Sequence, residues 1–371
     1  MKNKIAWIGL DVHKNSITLA LVEAGSGNEK FVQKLPNNPN QLIKLLRKLE
    51  ENYNLRVCYE AGPCGYGIYR KLTEAGIDCT VVAPSLIPVD NKKVKTDRMD
   101  AIKLAKFSRS GLLTAINVPD ARLENDRDLI RLRASQVKEL TRIKQQILAF
   151  LLRKDIKYPD KPGWSYKFEN WLATVEIDNH QDRVMLHRYL NHYNYQKRFV
   201  QELTLEIEEL SQSENYSEIS KILRGFRGVE TITAMTILTH VPDFRTFPGP
   251  RNFMSFIGLT PGEYSSGESR KGRGITKTGN TLLRKAFISI GQHYSMRDTV
   301  GGSLRLRRNH LPAPILALVQ RTDRRCRKRY FALLSRGKHT NAVKTAVARE
   351  AAGFIWEAMM HYYGGECRQA I

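Results

Sequence analysis

Four carboxylates, Asp11, Glu60, Asp97 and Asp100, are the residues whose types and spacing point to chemistry. Asp11 ends the apolar run Ile-Ala-Trp-Ile-Gly-Leu and Glu60 ends Arg-Val-Cys-Tyr, so each stands where a strand leaves a core and its last side chain faces a cleft. Asp97 and Asp100, three residues apart, share one face of a predicted helix. If the two strands pair in parallel, their carboxylates converge at one edge of the sheet, where open α/β sheets place ligands. Carboxylates gathered this closely repel one another, and bound Mg²⁺ or Mn²⁺ relieves the repulsion. Two such ions about 3.5–4 Å apart polarise a scissile phosphate and stabilise both the attacking and the leaving oxygen. Taken singly, each acid has an ordinary role: Asp11 in a turn, Glu60 as a charge at a helix N-terminus, Asp97 as a cap, Asp100 as a surface charge. The ordered set is what points to a metal site.

A second constellation runs from Gly258 to Asn280, Gly-Leu-Thr-Pro-Gly-Glu-Tyr-Ser-Ser-Gly-Glu-Ser-Arg-Lys-Gly-Arg-Gly-Ile-Thr-Lys-Thr-Gly-Asn. Its glycines let backbone approach a ligand closely, and Arg270, Lys271, Arg273 and Lys277 supply phosphate contacts. Ser265, Ser266 and Ser269 sit among these cations. A serine hydroxyl beside a metal-activated phosphate is a nucleophile; in a plain phosphate-binding loop it is an ordinary donor, and the residues alone leave both open. Farther on, Arg324, Arg325, Arg327, Lys328 and Arg329, followed by Tyr330 and Phe331, form a basic run with aromatic neighbours suited to nucleic acid. The segment Leu223-Arg-Gly-Phe-Arg-Gly-Val-Glu230 has the pattern of a helix, a glycine-containing hairpin and a second helix, either a backbone-gripping unit or a core hairpin.

The elements that must position these residues follow from periodicity. Ile5 to Leu10, Ser16 to Val22 and Phe31 to Leu35 read as a three-strand meander, and Pro39 to Glu51 as a helix capped by Asn38. Leu55 to Tyr59 is a strand, Tyr66 to Ala75 a helix, Cys79 to Ala83 a strand, and Thr96 or Asp97 to Ser110 a helix closed by Gly111. Three strands, helix, strand, helix, strand, helix is the order of the ribonuclease-H-like fold. From Arg122 to Lys154 and from Asp182 to Ser211 the pattern is long, charged and helical, fitting a hairpin or an inter-subunit coiled coil. The expected division is a carboxylate domain at 1–121, a helical coiled-coil or oligomerisation region at 122–216, and a mainly helical C-terminal domain with a basic tail at 217–371.

Composition narrows the class. The 371 residues carry 60 Lys plus Arg against 37 Asp plus Glu, a net charge of +23, which favours a polyanion partner and nucleic acid over a membrane surface. No apolar stretch approaches the roughly 20 residues of a bilayer span, and the N-terminus lacks a secretory pattern, so a cytoplasmic protein is expected. The five widely spaced cysteines lack a Cys-x-x-Cys pair and read as reduced thiols, and the scattered histidines do not form a zinc site.

Together, Gly-Leu-Asp11-Val-His-Lys, Tyr-Glu60-Ala-Gly-Pro-Cys-Gly and Lys-Thr-Asp97-Arg-Met-Asp100-Ala resemble the DEDD insertion-sequence transposases of the insertion sequence 110 family, whose relatives include the Piv-type invertases. The Gly-Leu-Thr-Pro-Gly-Glu-Tyr-Ser-Ser-Gly and Ile-Thr-Lys-Thr-Gly-Asn segments resemble that family's C-terminal transposase domain. Trp164, Trp171 and the Arg-Gly-Lys-His tail are similar to the 1111-like subgroup. The resemblance implies a RuvC-like domain whose Asp11, Glu60, Asp97 and Asp100 bind Mg²⁺ (or Mn²⁺), and a C-terminal serine that attacks DNA and becomes joined to it. That serine maps onto Ser266 before Gly267, with Ser265 the lesser candidate. It also implies donor and target DNA, a structured non-coding guide (bridge) RNA, and homo-oligomers, dimer to tetramer, in which one subunit's carboxylates complete a site with another's serine. The chain departs from the family at the hairpin, where Pro-Gly-Ile-Gly is usual and Arg227-Gly-Val-Glu230 stands here, which removes a glycine from phosphate gripping. A RuvC-like nuclease or junction resolvase using activated water is the alternative activity. A non-catalytic DNA- or RNA-binding protein is the third reading, and the complete carboxylate set argues against it.

Overall fold

The structure, a computed structural model, describes residues 4–25, 29–84, 87–88, 96–160, 163–266, 269–296 and 299–364, with side chains throughout except at 264–266, 269–271 and 273. It contains two compact units, residues 1–120 and 121–371.

The first unit is built on a five-stranded sheet in the order β3-β2-β1-β4-β5. Strands β1 (Ile5–Val12), β2 (Ser16–Glu23) and β3 (Phe31–Pro36) form an antiparallel meander, and β4 (Asn54–Glu60) and β5 (Cys79–Val82) continue from β1 in parallel. This mixed sheet with its strand order fits the ribonuclease-H-like expectation. β2 is apolar and buried along Ile17–Val22, as expected of a strand covered on both faces, with Thr18 its one polar side chain there. Helix α1 (Pro39–Glu50) starts where the sequence places it: Pro39 occupies the first turn and Asn38 Oδ1 accepts from the amides of Asn40 and Gln41 at 2.9 and 3.3 Å. Its Leu42 and Leu46 pack with Leu72 of α2 (Gly67–Glu74) on one face of the sheet, in a core with Ile8, Leu10, Leu19 and Tyr59. The opposite face belongs to α3 (Asp97–Arg109).

The second unit opens with two long helices, α4 (Ala121–Arg153) and α6 (His180–Leu210). They pack antiparallel in one chain, Lys154 meeting Asp182 at one end and Arg133 Nε donating to Thr204 Oγ1 at 2.7 Å nearer the other. The Trp-bearing middle, not foreseen as an element, folds as α5 (Tyr166–Thr174) and buries Phe168 and Leu172 against Phe150 and Tyr193 at the tip of this hairpin. The remainder packs α7 (Ser217–Arg224), α8 (Thr231–His240), α9 (Pro250–Phe256), α10 (Thr281–His293), α11 (Gly302–Arg308), α12 (Ala313–Ser335) and α13 (Thr340–Tyr363) around one apolar core. A two-stranded hairpin, β6 (Pro261–Ser266) and β7 (Ser269–Ile275), stands between α9 and α10. Among the described residues no helix is long and apolar enough to cross a membrane.

Candidate active site

The sheet register sets the site. β1 and β4 are parallel neighbours with Leu10 opposite Tyr59, so the next residues along, Asp11 and Glu60, lie side by side at the carboxyl ends of the two strands. On the other side of β1, Asp11 is opposite Thr18 of β2, and Thr18 is opposite Lys34 of β3. Side chains alternate along a strand, so Lys34, Thr18, Asp11 and Glu60 form one row across one face of the sheet. It is the face that carries α3: two residues back, Ala20 and Val32 pack with Ala101 and Ile102, and the Cys58 thiol reaches the Leu104 carbonyl at 3.7 Å.

Gly9 lets α3 lie directly on β1. A methyl group there would stand 2.2 Å from the Ala101 carbonyl oxygen and 2.6 Å from the Ala105 amide nitrogen, so the backbones meet where only hydrogen fits. With Ala101 over Gly9, the helix start one turn earlier stands at the Asp11 end of β1. Thr96 is the N-cap, its Oγ1 accepting from the Met99 amide at 3.3 Å, and Asp97 and Asp100 fill the first turn, where the helix dipole favours negative charge. The cap is thus Thr96, leaving the Asp97 carboxylate for the site.

Asp11, His13 and Asp97 each offer one ligand atom, and these atoms all lie within 4.8 Å of one another. His13 Nε2 is 3.1 Å from Asp11 Oδ2 and 3.7 Å from Asp97 Oδ1, and Lys34 Nζ donates to Asp97 Oδ2 at 2.8 Å. Desolvation raises the Asp11 pKa, His13 opposes the rise, and the charges of Asp97 and Asp100 add to it. The Asp97 carboxyl is held below its ordinary range, first by the Lys34 hydrogen bond. The structure therefore brings Asp11 and Asp97 together, puts Glu60 on the same row and Asp100 on the same helix turn, and adds His13 and Lys34. Sequence spacing did not single out these last two. The signal for His13 was Asp-x-His at a strand end; Lys34 is visible only once β3 is in register.

In the second unit, Ser266 is the last residue of β6 and is paired with Ser269 of β7, so the serine segment is a hairpin rather than an open loop. Ser265 pairs with Arg270 and Tyr264 with Lys271, and Arg273 belongs to the same β7 strand; the side chains of Ser265, Ser266, Arg270, Lys271 and Arg273 lie outside the described set. The base of the hairpin is clasped by two glycines with positive φ. A methyl on Gly258 would lie 2.1 Å from the Thr278 carbonyl oxygen, and one on Gly279 would lie 2.1 Å from that of Phe256. Arg284 Nη1 donates to the Thr278 carbonyl at 2.8 Å, and Asn280 caps α10 through the amides of Leu282 and Leu283. Lys277, itself at φ 58°, is exposed beside this clasp.

Two family models match the chain: one described as Transposase, of the DEDD IS110 type, over residues 8–154, and one described as Transposase IS116/IS110/IS902 family over residues 220–303. The first spans all four carboxylates and the second spans Ser266. The putative transposase y4qE of Sinorhizobium fredii is 35% identical over 354 residues, 95% of this chain and 87% of that protein. The chain belongs to the IS110 family of transposases. The transposase for insertion sequence element IS1533 of Leptospira borgpetersenii is 32% identical over 89% of this chain and 96% of its own length. The transposase for insertion sequence element IS1111A of Coxiella burnetii is 24% identical over 59% of this chain. Membership makes the protein a DNA recombinase, with DNA as its substrate.

The basic run of this transposase lies on α12 and divides by face. Arg321, Arg325 and Arg329 turn to α13, where Arg321 pairs with Glu357, and Arg325 and Arg329 with Glu350. Arg327 donates to the Met296 carbonyl and stacks on Phe331, whereas Arg324 and Lys328 are exposed. The segment between α7 and α8 is tied into the core: Arg308 Nε donates to the Gly225 carbonyl at 2.9 Å, Arg308 pairs with Asp323, and Arg307 pairs with Glu230.

Proposed function

We propose that this transposase cuts and rejoins DNA with a divalent-ion site formed by Asp11, Glu60, Asp97 and Asp100 and with Ser266 as its nucleophile. The observation that carries the reading is the shared face. Parallel register aligns Asp11 with Glu60, and Gly9 seats α3 so that Asp97 and Asp100 begin above them.

The donor set fits the ion. Carboxylate oxygens are the ligands that Mg²⁺ and Mn²⁺ prefer. Without an ion, the Lys34 ammonium sits on Asp97 and the His13 imidazole lies beside Asp11. When bound, the ion neutralises the scissile phosphate and stabilises the leaving oxygen. The chain's own residues do the rest. The Ser266 oxygen forms a bond to phosphorus as one bridging P–O bond breaks, its proton passes to a base, and the departing oxygen takes up a proton. The phosphoserine keeps the energy of the broken ester, so a DNA hydroxyl reverses the step on a new partner. His13, hydrogen-bonded to Asp11, holds that carboxylate in place. The cationic β7 strand and the exposed Arg324 and Lys328 contact phosphates. Target choice by a structured non-coding guide RNA, and assembly of two to four subunits with α4 and α6 at their contacts, belong to the same reading and rest on the family resemblance.

Asp11→Asn and Asp100→Asn test the site. Both are expected to abolish strand cleavage on a plasmid carrying the element's ends while leaving nucleic-acid binding within about twofold, because each removes one carboxylate from a protein with a net charge of +23. Cleavage retained in both variants would overturn the metal reading. Purified protein carrying RNA of one discrete size supports guidance; heterogeneous RNA that leaves in modest salt contradicts it.

A further inference from the structure

We propose that Thr18 is a positioning residue of the carboxylate site, its hydroxyl hydrogen-bonding the ligand sphere of a divalent cation held by Asp11 and Asp97. The proposal rests on the metal reading above and adds a residue from a strand that supplies none of the four acids.

Thr18 stands between Asp11 and Lys34 in the row that faces α3. It is only 3% exposed, and its Oγ1 has no hydrogen-bond partner. A hydroxyl buried without a partner is costly, and native structures rarely keep one without a use. The other buried threonines show the usual remedy. Thr236, Thr239 and Thr322 donate to the carbonyls of Ile232, Met235 and Leu318, four residues back, at 2.7, 2.8 and 2.8 Å. That remedy belongs to helices. In β2 the nearby carbonyls are engaged by β1 and β3, and every other residue of the run 17–22 is apolar. Valine has nearly the same shape and would fill the position without the cost. What Thr18 adds is a buried polar group in the row between Asp11 and Lys34, on the face of the sheet that carries α3. Such cations retain waters in their coordination sphere, and groups that hold those waters or the ligating carboxylates tune affinity.

The test compares Thr18→Val, Thr18→Ala and Thr18→Ser in the full chain, by Mn²⁺ titration calorimetry and by thermal unfolding without metal. Thr18→Val is expected to match or exceed the wild-type Tm without metal, since it removes an unsatisfied hydroxyl, yet to bind Mn²⁺ about 10-fold more weakly. Thr18→Ala is expected to lower the Tm but to lose the same Mn²⁺ affinity, and Thr18→Ser to retain it. A purely packing role would make affinity follow Tm across the series. Wild-type Mn²⁺ affinity in Thr18→Val and Thr18→Ala, alongside its loss in Asp11→Asn, would overturn the proposal and leave the metal site standing. A wild-type protein that takes up no Mn²⁺ would overturn the metal reading and this proposal with it.

Discussion

Replacing Gly9 with alanine tests how the sheet and α3 build the site. The added methyl would stand 2.2 Å from Ala101 O, 2.6 Å from Ala105 N and 2.9 Å from Leu104 Cβ, where ordinary contact begins at 3.4 Å. Two of the three obstructing atoms are backbone, so no rotamer change relieves the clash and α3 must retreat by about 1.2 Å at its closest point. Overpacking of a close interface costs about 1–3 kcal/mol, and with backbone in the way the upper end applies. A loss of about 3 kcal/mol corresponds to roughly a 100-fold rise in hydrogen exchange over α3 when its amides exchange through local opening. Asp97 and Asp100 move with the helix, and a 1 Å misplacement of reacting groups costs about 100-fold in rate. Peptide-resolved exchange, Mn²⁺ titration and strand cleavage are therefore expected to fail together in Gly9→Ala. Gly67→Ala serves as the control, because a methyl there meets nothing within 4 Å. Wild-type exchange and Mn²⁺ affinity in Gly9→Ala would refute the close seating of α3 on β1.

Lys34→Gln is expected to tighten Mn²⁺ binding a few-fold, since the ammonium competes for Asp97 Oδ2, and to leave Tm near wild type because both partners are substantially exposed; unchanged or weaker binding in the titration would count against that competition. Gly258→Ala is expected to disrupt the clasp beneath β6 and β7, abolishing strand cleavage while Mn²⁺ uptake is unchanged, whereas Gly274→Ala, where a methyl meets nothing within 4 Å, is tolerated; cleavage assays with calorimetry read both. His240 is buried with Nδ1 2.8 Å from the Thr236 carbonyl and Nε2 without a partner, and burial lowers its pKa to about 4 from an unfolded value of 6.5. The unfolded chain thus binds the proton first as pH falls below 6.5, and the stability lost by pH 4 is about 3 kcal/mol; exchange over α8 is expected to show this loss, and His240→Gln to remove it.

The N-terminal sheet was legible because its strands are apolar runs bounded by turn residues, and α1 because Asn38 and Pro39 are a cap and a first-turn residue. Asp11, Glu60, Asp97 and Asp100 were legible as strand ends and one helix face. The convergence of Asp11 and Glu60 was legible on the condition that their strands pair in parallel, as β1 and β4 do, whereas the seating of α3 was not, since it depends on a glycine inside β1 whose use appears only when the helix lies on it. Nothing in the sequence singles out Thr18 or Lys34, because their place beside Asp11 appears only when three strands come into register. The β6–β7 hairpin escaped notice because its residues are glycine, serine and arginine, with little apolar alternation, and pairing rather than propensity makes the strands. The α12 basic run read as suited to nucleic acid, yet its Arg325 and Arg329 are engaged by Glu350 of α13, a tertiary fact that the run itself does not carry.

The proposed chemistry is one phosphoryl transfer that uses Asp11, Glu60, Asp97 and Asp100 together with Ser266. Its most direct test is to incubate the transposase with Mg²⁺ and DNA carrying the element's ends, quench in denaturant, digest, and sequence the DNA-linked peptide. A phosphoester on Ser266 that is absent in Asp11→Asn is the predicted result. Free DNA ends with no peptide attached, formed equally well by Ser266→Ala, would contradict it and show that water is the nucleophile.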